Sequence, residues 1–309
     1  MAPAIIVDGL VKDYGEIRAV DGISFEVAQG EVFALLGPNG AGKTTTVEIL
    51  EGHRRASAGS VRVLGMDPAA GGRAYRDRIG IVLQSGAIER ELTPREVVRA
   101  WGRAYPAPRD PEALLDLVGL SEKGDARIGT LSGGQQRRLD LALGLVGDPE
   151  VVFLDEPTTG FDPAARRESW RLVERLAELG KTVLLTTHYL DEAQHLAERV
   201  GVVVRGRLVA LGRPAELGRG RADLTAVRFR LPVGMGLDDL PVAARPGARL
   251  DGPDVEIMAD DPTPLLNDLT SWALARGSAL EALTVSRPDL EDVYLDIVAG
   301  ASGDDVHAR

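Results

Sequence analysis

Short runs of apolar, largely β-branched residues alternate with longer stretches of helical periodicity over residues 1–212. Strands that alternate with helices indicate an α/β core built on a mostly parallel sheet. The first two apolar runs lie close together, which predicts an antiparallel β subdomain before the first helix. The strands are predicted at residues 5–7, 23–27, 32–36, 79–83, 151–154, 182–186 and 201–204.

Two segments depart from this alternation. Residues 86–145 contain helical patterns and no clear strand, which predicts a helical insertion within a first domain that spans 1–212. Prolines and glycines then recur, and residues 213–309 are predicted to form a small C-terminal accessory α+β domain. Its strands are predicted at 227–231, 254–258 and 280–285, and its helices at 264–276 and from 288 onward.

The composition is that of a globular protein, with 44% hydrophobic and 27% charged residues among 309. A spanning helix needs about 18 apolar residues in a row, and the sequence has no such stretch. A secretory leader begins with basic residues, which the first residues here lack, so neither element is expected. The chain has no cysteine, which excludes disulfides and thiolate metal sites and fits a reducing compartment. Residues 221–309 carry 8 of the 11 net negative charges, so we expect no nucleic-acid partner.

A glycine-rich loop follows the apolar run at 32–36. Its sequence fits the pattern G-x-x-x-x-G-K-[ST] between a strand and a helix, which is typical of a loop that binds phosphates. Glycines allow backbone N–H groups to turn toward an anion, and the helix N-terminus adds its positive dipole end. Lys43 would contact the β- and γ-phosphates, and the Thr44 hydroxyl would bind Mg²⁺. The loop comprises Gly37, Pro38, Asn39, Gly40, Ala41, Gly42, Lys43, Thr44 and Thr45.

A second apolar run, at 151–154, ends in two carboxylates, Asp155 and Glu156. The carboxyl ends of parallel strands carry the ligands of α/β folds, so Asp155 is expected in the Mg²⁺ shell. In an extended chain Glu156 would point away from Asp155, where it could polarise water. A solvated acidic pair at the end of a strand is the alternative reading.

A third motif, LSGGQQRR at 131–138, precedes an amphipathic segment. Ser132 and Gln135 fit a capping box at a helix start. Gly133 and Gly134 in the first turn would each cost about 1 kcal/mol relative to alanine, and a bare helix N-terminus is a second anion site. Both readings stay open.

Together, GPNGAGKTT, LSGGQQRR and VVFLDEP resemble the motifs of the ATP-binding cassette (ABC) ATPases, in the order of that family. The resemblance implies a P-loop NTPase core that uses ATP and Mg²⁺. It implies catalytic roles for Lys43, Gln84, Glu156 and His188, and metal ligation by Thr44, Gln84 and Asp155. Nucleotide contacts are implied for Tyr14, for the nine loop residues from Gly37 to Thr45, and for Ser132, Gly133, Gly134, Gln135 and Asp162.

Two of these residues also have ordinary structural readings. Tyr14 would stack on adenine, but a tyrosine packed on a sheet face is the alternative. Asp162 would lie at a dimer interface, although Asp162 followed by Pro163 is also a good helix start.

The resemblance also implies partners. In this family the nucleotide lies between the phosphate loop of one subunit and the LSGGQ segment of another, so a second ATPase subunit is expected, as a homodimer. A separate integral-membrane permease would dock near residues 85–103, which places the chain at the cytoplasmic face of the membrane.

The ending SRPDLEDVYL, at 286–295, resembles that of ATPases serving drug exporters of the daunorubicin-resistance type. Export of a drug, lipid or other small molecule is therefore expected. An importer ATPase and a soluble, non-transport ABC ATPase are the alternatives.

Overall fold

The computed structural model describes residues 3–82, 89–217, 224–231, 234–252, 254–286 and 294. The chain divides into two compact units, with the boundary between Pro214 and Ala215.

The first unit is organised around a mixed sheet in which five strands run parallel. Among the described residues its strand order is β5-β6-β7-β3-β8-β9, and only the edge strand β9 is antiparallel. The central strands are fully buried, because they are covered on both faces. These strands are β3 (Val32–Leu36), β5 (Ile79–Val82), β6 (Val151–Asp155), β7 (Thr182–Thr187), β8 (Arg199–Val204) and β9 (Arg207–Gly212).

A separate antiparallel sheet has the order β2-β1-β4, with β1 (Pro3–Tyr14), β2 (Ile17–Ala28) and β4 (Ala58–Val63). It packs on the mixed sheet through a shared core in which the rings of Phe25 and Phe33 stack at 5.1 Å. The α/β fold with a mostly parallel sheet and an antiparallel subdomain is thus confirmed. Strand β4 escaped the sequence prediction because it is largely exposed and lacks a continuous apolar run. Strand β9 was also missed, although residues 208–211 form a short apolar run.

The helices begin at residues that suit a helix start. Thr93, Asp110, Asp162 and Asp261 each accept a backbone N–H bond at a helix N-terminus and are each followed by proline. The helices are α1 (Lys43–Leu50), α2 (Gly72–Arg76), α3 (Pro94–Gly102), α4 (Pro111–Leu117), α5 (Gly133–Leu145), α6 (Pro163–Glu178), α7 (Leu190–Leu196), α8 (Pro214–Leu217) and α9 (Pro262–Ala275). Helices α3, α4 and α5, which lie between β5 and β6 in the sequence, pack against one another.

The second unit is a small α+β structure. Its antiparallel sheet has the order β11-β12-β10-β13, and α9 covers one face. Val227, Phe229 and Trp272 belong to the core between them. The strands are β10 (Thr225–Arg230), β11 (Arg249–Asp251), β12 (Asp254–Ala259) and β13 (Glu281–Ser286). The helix predicted from residue 288 lies outside the described residues, apart from Tyr294.

Candidate active site

The loop between β3 and α1 has a backbone path that only glycine permits at two points. Gly42 has a φ of 101°, and a Cβ there would lie 2.4 Å from the carbonyl oxygen of Ala19. At Gly37 a Cβ would lie 2.2 Å from the carbonyl oxygen of Val203. No side chain caps the start of α1, so its first N–H groups face the loop. The result is a cradle of backbone donors suited to an anion.

Lys43, the first residue of α1, lies across this cradle. Its Nζ is 2.8 Å from the Gly37 oxygen, 3.1 Å from the Pro38 oxygen and 3.7 Å from Glu156 Oε1. The side chain is only 4% exposed. Burial lowers the Lys43 pKa, while the charges of Glu156 and Asp155 oppose that shift. A buried ammonium among carbonyl oxygens is placed to bind a highly charged anion.

Asp155 ends β6 beside the start of α1. Its Oδ1 accepts a hydrogen bond from Thr186 and lies 3.4 Å from Thr44 Oγ1. A hydroxyl and a carboxylate that meet in this way are the oxygen ligands that Mg²⁺ prefers. The donor set at this point therefore fits the metal that the sequence implied, with Thr44 and Asp155 as the protein ligands.

Glu156 does not continue the extended strand. Its φ is +46°, and its N–H donates to both the carbonyl oxygen and the hydroxyl of Thr186. The prediction that an extended chain would turn Glu156 away from Asp155 was therefore wrong. The left-handed turn brings its carboxylate to Lys43, and its Oε2 accepts a hydrogen bond from Thr159. Both acids thus face the start of α1.

His188 follows β7 and completes the cluster. Its Nδ1 lies 3.3 Å from Glu156 Oε1 without the alignment of a hydrogen bond. The imidazole ring packs against Tyr189 at a tilt of 39°, with the ring centres 4.1 Å apart. The sequence-predicted residues Lys43, Asp155, Glu156 and His188 are therefore brought together. Sequence reasoning missed Thr186, although its place two residues before His188, at the end of the apolar run TVLLTTH, could have indicated it.

The LSGGQ segment forms the start of α5. Ser132 Oγ accepts from the Gln135 N–H at 3.3 Å, and Gln135 Oε1 accepts from the Ser132 N–H at 3.0 Å, so the capping box is present. Neither Gly133 nor Gly134 has a positive φ, and a Cβ on either would meet nothing within 4 Å. Folding of this chain therefore does not require glycine at these two positions.

The remaining predicted residues lie apart from this cluster or outside the description. Asp162 Oδ1 accepts from the N–H groups of Ala164 and Ala165, and these bonds lower the Asp162 pKa. Tyr14 ends β1, is 39% exposed, and has the Lys12 ammonium 5.1 Å from its ring centre. Gln84 falls outside the described residues.

Comparison with known proteins identifies the family to which this chain belongs. A sequence profile described as "ABC transporter" matches residues 20–159, and a second, described as "ABC transporter domain-containing protein-like, C-terminal domain", matches 225–288. The daunorubicin resistance ATP-binding protein DrrA3 of Streptomyces coeruleorubidus is 40% identical, covering 98% of this chain and 96% of its own. The chain belongs to the ABC transporter ATP-binding protein family.

Other members of the ABC family agree with this assignment. A Nod factor export ATP-binding protein I of Ralstonia nicotianae is 38% identical over 95% of this chain and 93% of its own. The structure of cbiO1 from Clostridium perfringens, part of the ABC transporter complex cbiONQ, has a TM-score of 0.65 at 29% identity, over 71% of this chain and 92% of that one. The dimeric structure of MJ0796, a bacterial ABC transporter cassette, has a TM-score of 0.59 at 26% identity, over 68% and 98%. These matches confirm the P-loop NTPase core and identify the chain as an ABC-type ATPase.

Within the part of the chain that the structure describes, no helix is both long enough and apolar enough to span a bilayer.

Proposed function

We propose that this ABC ATPase hydrolyses ATP at the cluster formed by Lys43, Asp155, Glu156 and His188. The observation that carries the proposal is the meeting of a buried ammonium, two carboxylates and an imidazole at the carboxyl edge of a parallel sheet. A sheet edge of this kind, beside a bare helix N-terminus, is the usual ligand position of an α/β fold.

Each residue of the cluster has a task that follows from its contacts. Lys43 neutralises phosphate charge, since its ammonium already lies on the carbonyl oxygens of the loop. Glu156, whose carboxylate accepts a hydrogen bond from Thr159, is the proton acceptor that activates water. His188, whose Nδ1 lies 3.3 Å from Glu156 Oε1, would contact the γ-phosphate.

Thr44 and Asp155 would hold Mg²⁺, which when bound spreads the charge that develops on the transferred phosphoryl group. Thr186 donates a hydrogen bond to Asp155, which fixes that ligand in place. Gln84 is assigned to the same shell from the sequence resemblance alone. The other residues of the loop from Gly37 to Thr45 supply backbone contacts, and Tyr14, at the open end of β1, supplies a stacking face for adenine.

The nucleotide site is completed by Ser132, Gly133, Gly134 and Gln135 of a second subunit. The glycines support this step, because a Cβ at Gly133 or Gly134 would meet nothing within 4 Å among the described residues of its own chain. Helix α5 packs on β5, α3 and α4, whereas α1 packs on β2, β4 and β6, so different surroundings hold the two helix starts. A homodimer fits because each copy carries both halves, and Asp162 at the start of α6 is proposed to lie at the subunit contact.

The transport role follows from the relatives. One relative is named for daunorubicin resistance and another for Nod factor export, which concern unlike small molecules. We therefore assign this chain to export of a drug, lipid or other small molecule through a separate membrane permease. It would act peripherally at the cytoplasmic face of the membrane. The importer reading has less support, since the relatives that match most of the chain are named for resistance or export.

Glu156→Gln tests the site and the dimer together. The substitution keeps the side chain but removes the base, so ATP should be bound and not hydrolysed. We expect a stable ATP-dependent dimer on a sizing column and hydrolysis reduced by about 100-fold or more. The matched control is Glu150→Gln, on an exposed ion pair with Arg78, which should behave as the native protein. A Glu156→Gln protein that stays monomeric with saturating ATP would contradict the two-subunit site.

A further inference from the structure

Helices α6 and α7 pack against each other and both begin at site residues. Asp162 caps α6, and α7 begins two residues after His188. At the start of this contact, Arg166 Nη1 lies 3.1 Å from Asp191 Oδ2 and the Arg166 guanidinium lies 4.3 Å from the Tyr189 ring centre. The two helices therefore form a continuous connection between two separate segments of the active site.

A buried carboxylate lies at the centre of this connection. Glu192, on α7, is 0% exposed, and its Oε1 accepts a hydrogen bond from the Trp170 indole N–H at 3.3 Å. Burial raises the Glu192 pKa. A fully buried carboxylate is costly to fold, and an apolar residue would satisfy helix packing at lower cost. Its presence here therefore calls for a reason other than stability.

The position of Glu192 explains what it could do. Glu192 lies four residues after His188 on α7, and Thr187, which directly precedes His188, accepts the N–H of Tyr189 at 2.9 Å. Trp170 lies two turns after Asp162 on α6. The bond from Trp170 to Glu192 thus ties the segment that follows His188 to the helix that begins at Asp162.

We propose that Glu192 is a positioning residue for ATP hydrolysis, which holds the segment of His188 in place through its hydrogen bond with Trp170 of α6. This inference rests on the roles assigned above to Glu156 and His188. Glu192 touches none of the reacting atoms and acts through the segment that bears the imidazole. Its removal should slow the chemical step and leave binding of ATP unchanged.

Glu192→Leu tests the role, because leucine fills much of the same volume without accepting a hydrogen bond. In the full-length chain we expect kcat for ATP to fall about tenfold with KM changed less than about twofold. Glu192→Gln keeps the acceptor for Trp170 and should restore most of the rate. Glu174→Gln is the matched control, since the Glu174–His195 pair joins the same two helices but is about half exposed.

A double-mutant cycle with His188→Ala separates positioning from general stability. If Glu192 acts through His188, Glu192→Leu should slow the His188→Ala protein no further in single-turnover hydrolysis. Multiplied losses in the double variant would overturn the positioning role while leaving the proposed site intact. A His188→Ala protein with the native rate would instead overturn the assignment of His188 itself.

Trp170→Phe keeps the test decisive if Glu192→Leu does not fold. Phenylalanine retains a ring beside His195, whose ring centre lies 4.6 Å from that of Trp170, and removes only the indole donor. The same fall in kcat, absent when His188 is already alanine, is expected. An unchanged kcat in a folded Trp170→Phe protein would count against the proposal.

Discussion

Gly134→Ala distinguishes what the fold of one chain requires from what catalysis between two chains requires. Gly134 lies in the first turn of α5, has no positive φ, and leaves open space around an added Cβ. Alanine is favoured over glycine in helices by about 0.5 to 1 kcal/mol. For a unit of this size that gain corresponds to a rise in Tm of about 1–4 °C.

The same methyl group should be harmful at the proposed subunit contact. It would stand where a triphosphate held by the partner's loop has to approach the N–H groups of α5. Hydrogen bonds to charged groups are worth about 1.5–3 kcal/mol, so losing one should lower ATP hydrolysis about 10- to 100-fold. We therefore expect a Gly134→Ala protein that melts at the same or a higher temperature and is nearly inactive.

Thermal melting without nucleotide and steady-state ATP hydrolysis together check this expectation. Gly144→Ala, later in the same helix, is the contrasting variant, since a Cβ there would lie 2.8 Å from Val82 Cγ2 and 3.1 Å from the Ile81 carbonyl oxygen. Overpacking of that kind costs about 1–3 kcal/mol, so Gly144→Ala should melt at a lower temperature. A fully active Gly134→Ala protein would refute the two-subunit site.

Other perturbations test the phosphate-binding loop, the residue proposed to stack on adenine, and a buried carboxylic acid. Lys43→Ala should abolish hydrolysis at an unchanged fold, and normal turnover in that variant would refute the active-site assignment. Tyr14→Ala should raise KM for ATP about tenfold while Tyr14→Phe should not, because only the ring face matters. Burial and the charges of Asp155 and Glu48 raise the Glu51 pKa to about 8, above its value in an unfolded chain. The stability that the protonated form contributes should therefore be lost as pH rises through that value. The Tm advantage of Glu51→Gln over the native protein should widen between pH 5 and pH 9 by about 3 °C or more, and a constant difference would contradict the shift.

Motif spacing predicted the phosphate-binding loop because the path of its backbone requires glycine at fixed positions. Gly42 must be glycine, since its φ is 101° and a carbonyl oxygen stands where a Cβ would be. The same reasoning failed at Glu156, where a residue with no preference for positive φ adopts it. That turn is held by Thr186, thirty residues further along the chain. The local sequence around Glu156 does not reveal such a tertiary constraint.

Exposure explains why one strand was missed. Strand β4 is largely exposed and gains its hydrogen bonds from β1, so it needs no apolar run of its own. Glu192 was missed for the opposite reason, since nothing in its sequence context distinguishes a buried carboxylate from a solvated one. Only the structure shows that it is fully buried and accepts a hydrogen bond from Trp170.

The two readings of the LSGGQ segment are compatible rather than alternatives. The capping box uses the N–H groups of Ser132 and Gln135. These two bonds leave the N–H groups of Gly133 and Gly134 out, and neither group has an intrahelical acceptor in the first turn of a helix. Side-chain caps therefore fix the direction of α5, while its two glycines keep bare donors at the surface. Helix α1 reaches the same result without a cap, because its loop curls around the ligand position. A single chain thus presents two donor-lined helix starts, and the proposed site would use one of each, contributed by two copies, for the same triphosphate.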